Sequence, residues 1–226
     1  MALVLYYHPL SSFCQKVLIA LHELSVTYEA CIVNLADETS SAALRAAWPL
    51  AKIPVLRDMT CNQTFPETSI IIEYMTQAYA HSCGLIPGNP EQALSVRLWD
   101  RVFDLHVNVP MGKVVTDRLR PQGGYDLYGV EEAKRTLAVA YDIIEQQIAT
   151  RTWATGEEFT LADCAAAPAL FYAQTVMPFG DKHSNTAAYL DRLMSRPSVA
   201  RTLDEARPYF EYYPLRERLP ERYRAA

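Results

Sequence analysis

An α/β N-terminal domain of order βαβαββα followed by an all-α C-terminal helical domain is the architecture that this chain of 226 residues predicts. Three observations carry it. Over residues 1–80, short apolar runs of strand length alternate with segments of helical period. A stretch rich in Pro and Gly, residues 81–90, interrupts that pattern as a linker would. From 91 to about 206, within a second half that runs to 226, apolar residues recur at helical spacing.

Leu3 to Tyr7 is an apolar and aromatic run of strand length. Pro9 punctuates it, and Phe13, Val17, Leu21 and Leu24 then fall on one helical face, which makes Ser11 or Ser12 the N-cap. Thr27 to Val33 alternates polar and apolar side chains as a half-buried strand does. Ala36 to Trp48 reads as a short helix ended by Pro49, because the residue before proline is pushed out of the helical region. Ile53–Arg57 and Asn62–Phe65 read as two strands close enough in sequence to pair as a hairpin. Glu67 to Tyr79 carries Ile70, Ile71, Tyr74, Met75 and Ala78 on a helical stripe.

Beyond the linker, a helix is expected from Glu91 to about Val109, continuing towards Arg120 past a break or kink at Pro110. Val130 to Thr150 is a second helix with one apolar face. The segment from Thr160 to Phe171 is apolar nearly all round and so should be the buried centre of this half, bent at Pro168. Thr186–Met194 and Pro197–Ala206 follow as shorter helices, and the tail from Pro208 shows no period.

Composition narrows the function. The net charge of −5 is spread along the chain, which offers no basic nucleic-acid surface. No apolar run approaches the ~20 residues that span a bilayer, and the start Met1-Ala2-Leu3-Val4 has no positive leader, so a cytoplasmic setting is expected. The five cysteines, Cys14, Cys31, Cys61, Cys83 and Cys164, are odd in number and lack metal-ligand spacing; neither a disulfide framework nor a metal site is expected.

The chemistry concentrates at the joint between first strand and first helix. A helix N-terminus presents unpaired N–H groups and a partial positive charge, so an anion such as a thiolate is stabilised there. Ser11-x-x-Cys14 has the spacing of a redox motif whose first, reactive cysteine has become serine. Cys14, one turn into the helix, is either a packed thiol or a resolving one. Ile53-Pro54 is either a strand edge or a cis proline that would leave the Ile53 backbone free to pair with a peptide-like ligand. Glu67 and Thr68, at the start of the third helix, are either a first-turn acid and cap or a site for a zwitterion, with Thr68 holding a carboxylate and Glu67 an ammonium group. Thr160-x-x-Asp163 has the form of a capping box, which accounts for an acid on an apolar helix better than catalysis does. His8, His22, His81, His106 and His183 lack partners at triad or metal spacing.

Together, Ser11 to Val17, Lys52-Ile53-Pro54-Val55-Leu56, Glu67-Thr68 and Phe159 to Asp163, in that order and ahead of or within a helical half, resemble the glutathione S-transferase family in its serine-type, bacterial-like cytosolic form. The resemblance implies a thioredoxin-like fold for residues 1–80 and a homodimer. It also implies glutathione as co-substrate, an electrophile held between the two halves and a cis Pro54. By position, Ser11 matches the hydroxyl that bonds the glutathione sulfur. Phe13, Lys52, Ile53, Pro54, Glu67 and Thr68 match the binding site for the rest of the tripeptide. Tyr6 matches the activating tyrosine of tyrosine-type members and competes with Ser11 for the role. Leu10, His106, Met111, Val115 and Arg118 are expected at the electrophile. The chain departs from the common family pattern with Thr68 for Ser, Ala51 for Gly and Ser12 for Pro. Conjugation, with peroxide reduction beside it, is the leading activity; thiol–disulfide reduction and non-catalytic ligand binding are the alternatives.

Overall fold

The computed structural model describes residues 2–34, 37–79 and 84–224. His81 and Cys83, and with them the first part of the expected linker, lie outside the described residues. The first half holds β1 (Leu3–Tyr7), α1 (Ser12–Glu23), β2 (Glu29–Ile32), α2 (Glu38–Ala47), β3 (Val55–Asp58), β4 (Gln63–Pro66) and α3 (Thr68–Ala78). The strands form one mixed sheet in the order β2-β1-β3-β4. β1 runs parallel to β2 and antiparallel to β3, and β3–β4 is a hairpin in which Val55 faces Pro66 and Asp58 faces Gln63. The edge strand β2 is shorter and more exposed than its alternation predicts, since only one of its edges is paired.

The second half is helical: α4 (Pro90–Val102), α5 (Val109–Asp117), α6 (Leu127–Ile148), α7 (Leu161–Val176), α8 (Ser184–Ser195) and α9 (Pro197–Ala206). At Pro110, where a break or kink is expected, the helix continues. Phe103–Asn108 forms a π-helical segment that carries α4 directly into α5. Proline cannot donate to the carbonyl four residues back, and its ring crowds that carbonyl; a widened turn just before it relieves both problems while the helix continues. α6 starts three residues earlier than its apolar stripe suggests, because Asp126 caps it by accepting the Gly129 N–H at 2.9 Å. No helix among the described residues is long and apolar enough to cross a membrane.

α7 is the centre of the molecule. Nearly every residue from Leu161 to Val176 is buried, and α1, α4, α5 and α8 pack around it. Its start is fixed by a closed capping box, in which the Asp163 carboxylate accepts the Thr160 N–H at 2.9 Å and the Thr160 hydroxyl at 3.1 Å. α1 therefore serves two partners, the sheet on one side and α7 on the other, which is why its residues from Cys14 to Leu21 are all buried.

A polar clamp ties the end of α1 to the start of α9. Arg196 grips Glu23 with two bonds of 2.7 and 2.6 Å, and Ser198 donates to the same carboxylate. Burial acts to raise the Glu23 pKa, but the Arg196 and Ser198 hydrogen bonds outweigh it and hold the group below its ordinary value of 4.5. A depressed carboxylate stabilises fully above the unfolded value and loses that contribution as pH falls through the folded one. The melting temperature should thus fall as pH drops below about 4.5, and Arg196→Met, which removes the two guanidinium donors, should flatten that acid limb. Acid limbs of equal steepness would show that the clamp contributes nothing.

Candidate functional site

The turn between β1 and α1 is held by its own residues. The Ser11 N–H donates to the His8 carbonyl at 3.0 Å, and the Leu10 N–H donates to His8 Nδ1 at 3.2 Å. Ser11 is the N-cap of α1, its Oγ accepting the Cys14 N–H at 3.4 Å, and Ser12 donates to Asn108 Oδ1 at 2.7 Å. The N–H groups of Ser12 and Phe13 bond to none of the described residues, so the helix start keeps free donors beside the Ser11 hydroxyl. The backbone thus supplies the positive potential the sequence predicts there.

Two clefts flank this helix start and meet at Ile53. One, of ≈ 330 Å³, is lined by Phe13, Lys52, Ile53, Pro54, Glu67 and Thr68, together with Trp48, Arg101 and Asp104. It brings together every residue expected to bind glutathione except Ser11. The other, of ≈ 320 Å³ and chiefly apolar, is lined by Leu10, Ser11, Ile53, Met111 and Val115. Ser11 thus faces the apolar cleft, and Phe13, two residues on, faces the charged one.

The Ile53–Pro54 bond is cis. The ladder between β1 and β3 ends at Val55, and among the described residues no backbone hydrogen bond ends on Ile53. Its N–H and C=O are open to an extended ligand. Glu67 holds φ +69°, a region costly for a residue with a Cβ and found where the surroundings impose it. Thr68, which follows it as the first residue of α3, is buried. Ala51, at φ +50°, occupies the left-handed region that the common family glycine would hold without crowding its Cβ.

His106 and Arg118, both expected at the electrophile, line neither cleft. Met111, Gly112, Val115 and Thr116 form the stripe of α5 that walls the cleft, with Leu119 from the turn that follows. Arg118 falls on the neighbouring stripe with Val114 and lines a different hollow, beside Tyr125 and Leu127. His106 lies in the π-helical segment, where the widened turn breaks the register counted from α5, and its exposed side chain is not part of either lining. Tyr6, the competitor of Ser11, packs with Val33, Leu44 and Val55 in the small cluster under α2 and lines neither cleft.

Cys14 is fully buried, and burial pushes its thiol up to about 12 against the weaker pull of the Ser11 and His8 hydrogen bonds. A thiol in that state is neither a nucleophile nor a resolving group at neutral pH.

Sequence reading missed the charged cluster behind the polar cleft. Lys16, with no exposed surface, lies 2.5 Å from Asp100 and 2.7 Å from Asp104 and donates to Ser69 at 3.0 Å. Arg101 bonds both carboxylates from the solvent side. Burial raises the Asp104 pKa while Lys16 opposes the rise. The cluster locks α1, α3 and α4 together and leaves Asp104 and Arg101 at the cleft wall. A lysine inside the apolar run of α1, and two aspartates four apart across the end of α4 and the π-helical segment, were the available signals. His8, Tyr172, Tyr212 and Tyr213 at the apolar cleft were also missed. Tyr212 and Tyr213 come from the tail, whose short 3₁₀ turns leave no periodic trace. Among the described residues, no group of three or more His, Cys, Asp or Glu side chains is placed to hold a metal ion.

Comparison with known proteins agrees with this arrangement. The family model for the glutathione S-transferase N-terminal domain matches residues 5–84, and that for the C-terminal domain matches 114–197. Glutathione S-transferase F13 of Arabidopsis thaliana is 27% identical over 206 residues, spanning 88% of this chain and 93% of the relative. A glutathione S-transferase structure from Methylobacillus flagellatus with GSH bound superposes with a TM-score of 0.81 at 26% identity, covering 88% of this chain and 98% of that one. One from Methylobacterium radiotolerans, in complex with glutathione sulfonate, gives 0.77 at 26% identity over 88% and 93% of the two chains. With both domain models matched in order, and the mixed sheet and helical half that they describe both present, the chain belongs to the glutathione S-transferase family.

Proposed function

We propose that the protein binds glutathione in the polar cleft, holds its sulfur as a thiolate over the start of α1, and transfers it to a small apolar electrophile. Membership of the family, and relatives solved with glutathione or its sulfonate bound, support the binding and the transfer. The observation that carries the reading is the meeting of a charged cleft and an apolar one at Ile53, beside the free donors of α1. A tripeptide with two carboxylates and one ammonium group needs both charge signs, and the polar cleft offers Lys52 and Arg101 against Glu67 and Asp104. The open Ile53 backbone pairs with the cysteinyl unit, Pro54 shapes that edge and Phe13 closes the wall. Thr68 and Glu67 take the γ-glutamyl end.

Ser11 is the thiolate donor in this reading. The thiol proton leaves to water, the hydroxyl and the helix start stabilise the anion, and no general base on the protein is needed. Lowering a thiol pKa by ~2 units takes about 2.7 kcal/mol of differential stabilisation, within reach of one charge-assisted hydrogen bond plus the helix dipole. The thiolate then attacks the electrophilic carbon, forming a C–S bond as the leaving group departs with its electron pair. Leu10, Met111 and Val115 hold that acceptor. Reduction through Cys14 loses its support, since that thiol is sealed in the core. A homodimeric cytoplasmic enzyme of detoxification completes the proposal, which family membership supports.

Thiolate absorbance of the glutathione complex near neutral pH, measured beside turnover of an activated chloro-nitroarene and of a hydroperoxide, tests it. Thiolate with arene turnover is the expected result, and hydroperoxide turnover would add peroxide reduction. Glutathione bound as a thiol, with neither substrate consumed, would make the protein a binding module instead.

A further inference from the structure

We propose that Tyr172 of α7 is a positioning residue for the thiolate site, acting with Gln15 as a strut that fixes the turn carrying Ser11; the proposal rests on the reading of Ser11 as thiolate donor. The geometry is a full accounting of that turn's backbone. The N–H groups of Leu10 and Ser11 are satisfied inside the turn by His8. The carbonyls of Pro9 and Leu10 point the other way and have no partner in the turn. Tyr172 donates its hydroxyl to the Leu10 carbonyl at 3.0 Å, and Gln15 Nε2 donates to the Pro9 carbonyl at 2.9 Å. Gln15 also donates to the Tyr172 oxygen at 2.9 Å, which orients the phenol so that its one proton goes to Leu10.

Both donor side chains are buried. Gln15 is 1% exposed and Tyr172 2% exposed, and the bonds of Gln15 to the Pro9 carbonyl and to Tyr172 are buried, so they are worth more than they would be at the surface, while the Tyr172–Leu10 bond is part-buried at the edge of the apolar cleft. The Tyr172 ring is itself braced: it lies against the Tyr213 ring at 5.0 Å, and Tyr213 and Thr175 bond each other through their hydroxyls at 2.7 Å. Burial holds the Tyr172 phenol well above the ordinary tyrosine range, so it stays a donor at any working pH.

The consequence is that the helical half sets the position of the Ser11 hydroxyl. The chain crosses from the site to Tyr172 and back over a sequence separation of 162 residues. A turn that has lost its two external anchors can rotate about the bonds flanking Pro9 and Leu10, which moves the Ser11 hydroxyl off the line to the sulfur. Such misplacement weakens stabilisation of the anion while leaving the residues that grip the rest of the tripeptide untouched. The ring of Tyr172 also lines the apolar cleft, so substitution must preserve it.

The test is Tyr172→Phe, read by the pKa of the bound glutathione thiol from thiolate absorbance against pH, by the dissociation constant for glutathione, and by the melting temperature. The expected result is a raised bound-thiol pKa and a fall in kcat of about three- to tenfold, with glutathione affinity within about twofold of the parent. Tyr172→Phe in a Ser11→Ala background should shift the thiol pKa no further, since the strut acts through Ser11. A Tyr172→Phe protein with an unshifted thiol pKa, whatever its melting temperature, overturns the proposal while leaving Ser11 in its role. An additional shift in the double variant overturns it too, because Tyr172 would then act independently. A thiol pKa unmoved by Ser11→Ala alone removes the Ser11 reading and this proposal with it. If Tyr172→Phe does not fold, Gln15→Met, which frees the Pro9 carbonyl and leaves the cleft-lining ring in place, must raise the thiol pKa; no shift there also overturns the proposal.

Discussion

Replacing Ser11 with alanine should lower kcat by about 10- to 100-fold and leave glutathione affinity nearly unchanged, the loss expected when one hydrogen bond to a charged group disappears. The remaining donors, the N–H groups of Ser12 and Phe13, stay in place and keep part of the rate. Ser11 also caps α1, so the alanine variant should lose roughly 1 kcal/mol of stability. Two further variants separate the roles. Ser11→Thr keeps both hydroxyl and cap and should retain most activity. Ser11→Asp keeps a capping oxygen but sets a negative charge beside the sulfur; it should remain folded and be slower than the alanine variant. Tyr6→Phe should leave the rate unchanged, because Tyr6 packs under α2 and lines neither cleft. Full activity in Ser11→Ala together with loss in Tyr6→Phe would transfer the role to the tyrosine.

The parts of the molecule that were legible in the sequence are those set by local rules. β1, α1 and the β3–β4 hairpin follow from period and punctuation, and the cap on α7 follows from a four-residue spacing. Part of the polar cleft's lining, Phe13, Lys52 to Pro54 and Glu67-Thr68, was named through the match to the family pattern; these residues also lie at or beside the ends of elements, where backbone donors and acceptors are free. What stayed hidden depends on contacts distant in sequence. Nothing local indicates that Lys16 will meet Asp100 and Asp104, or that Tyr172 will reach the carbonyl of Leu10. His106 and Arg118 line neither cleft, for two separate local reasons. The π-helical turn ahead of Pro110 takes His106 off the register of α5, and Arg118, after that turn, falls on the stripe beside the one that walls the cleft.

Asp163→Ala is expected to cost about 3–5 kcal/mol of stability, because it strands several buried donors at once. The carboxylate, with no exposed surface, accepts the N–H groups of Ala154 and Thr160 at 2.9 Å each, the Thr160 hydroxyl at 3.1 Å and the Tyr189 hydroxyl at 2.5 Å. Those donors come from the loop before α7, from its cap and from α8, so one side chain closes three pieces of chain around the start of the central helix. Burial raises its pKa, and the four donors work against that rise. For a chain of this size the loss corresponds to a fall in melting temperature of roughly 10 °C or more. Asp163→Asn keeps one oxygen for a backbone N–H but turns an NH₂ group towards the remaining donors, and should lie between alanine and the parent. Activity per folded molecule, assayed well below the melting transition, should stay within about twofold of the parent, since Asp163 lines neither cleft. An alanine variant with an unchanged melting temperature and lost turnover would reverse the assignment and place the carboxylate in the chemistry. Because α7 also carries Tyr172, a cap that merely loosened the helix start would appear first as a raised bound-thiol pKa and only later as unfolding. The order of those two signals on heating distinguishes a helix that positions the site from one that only fills the core.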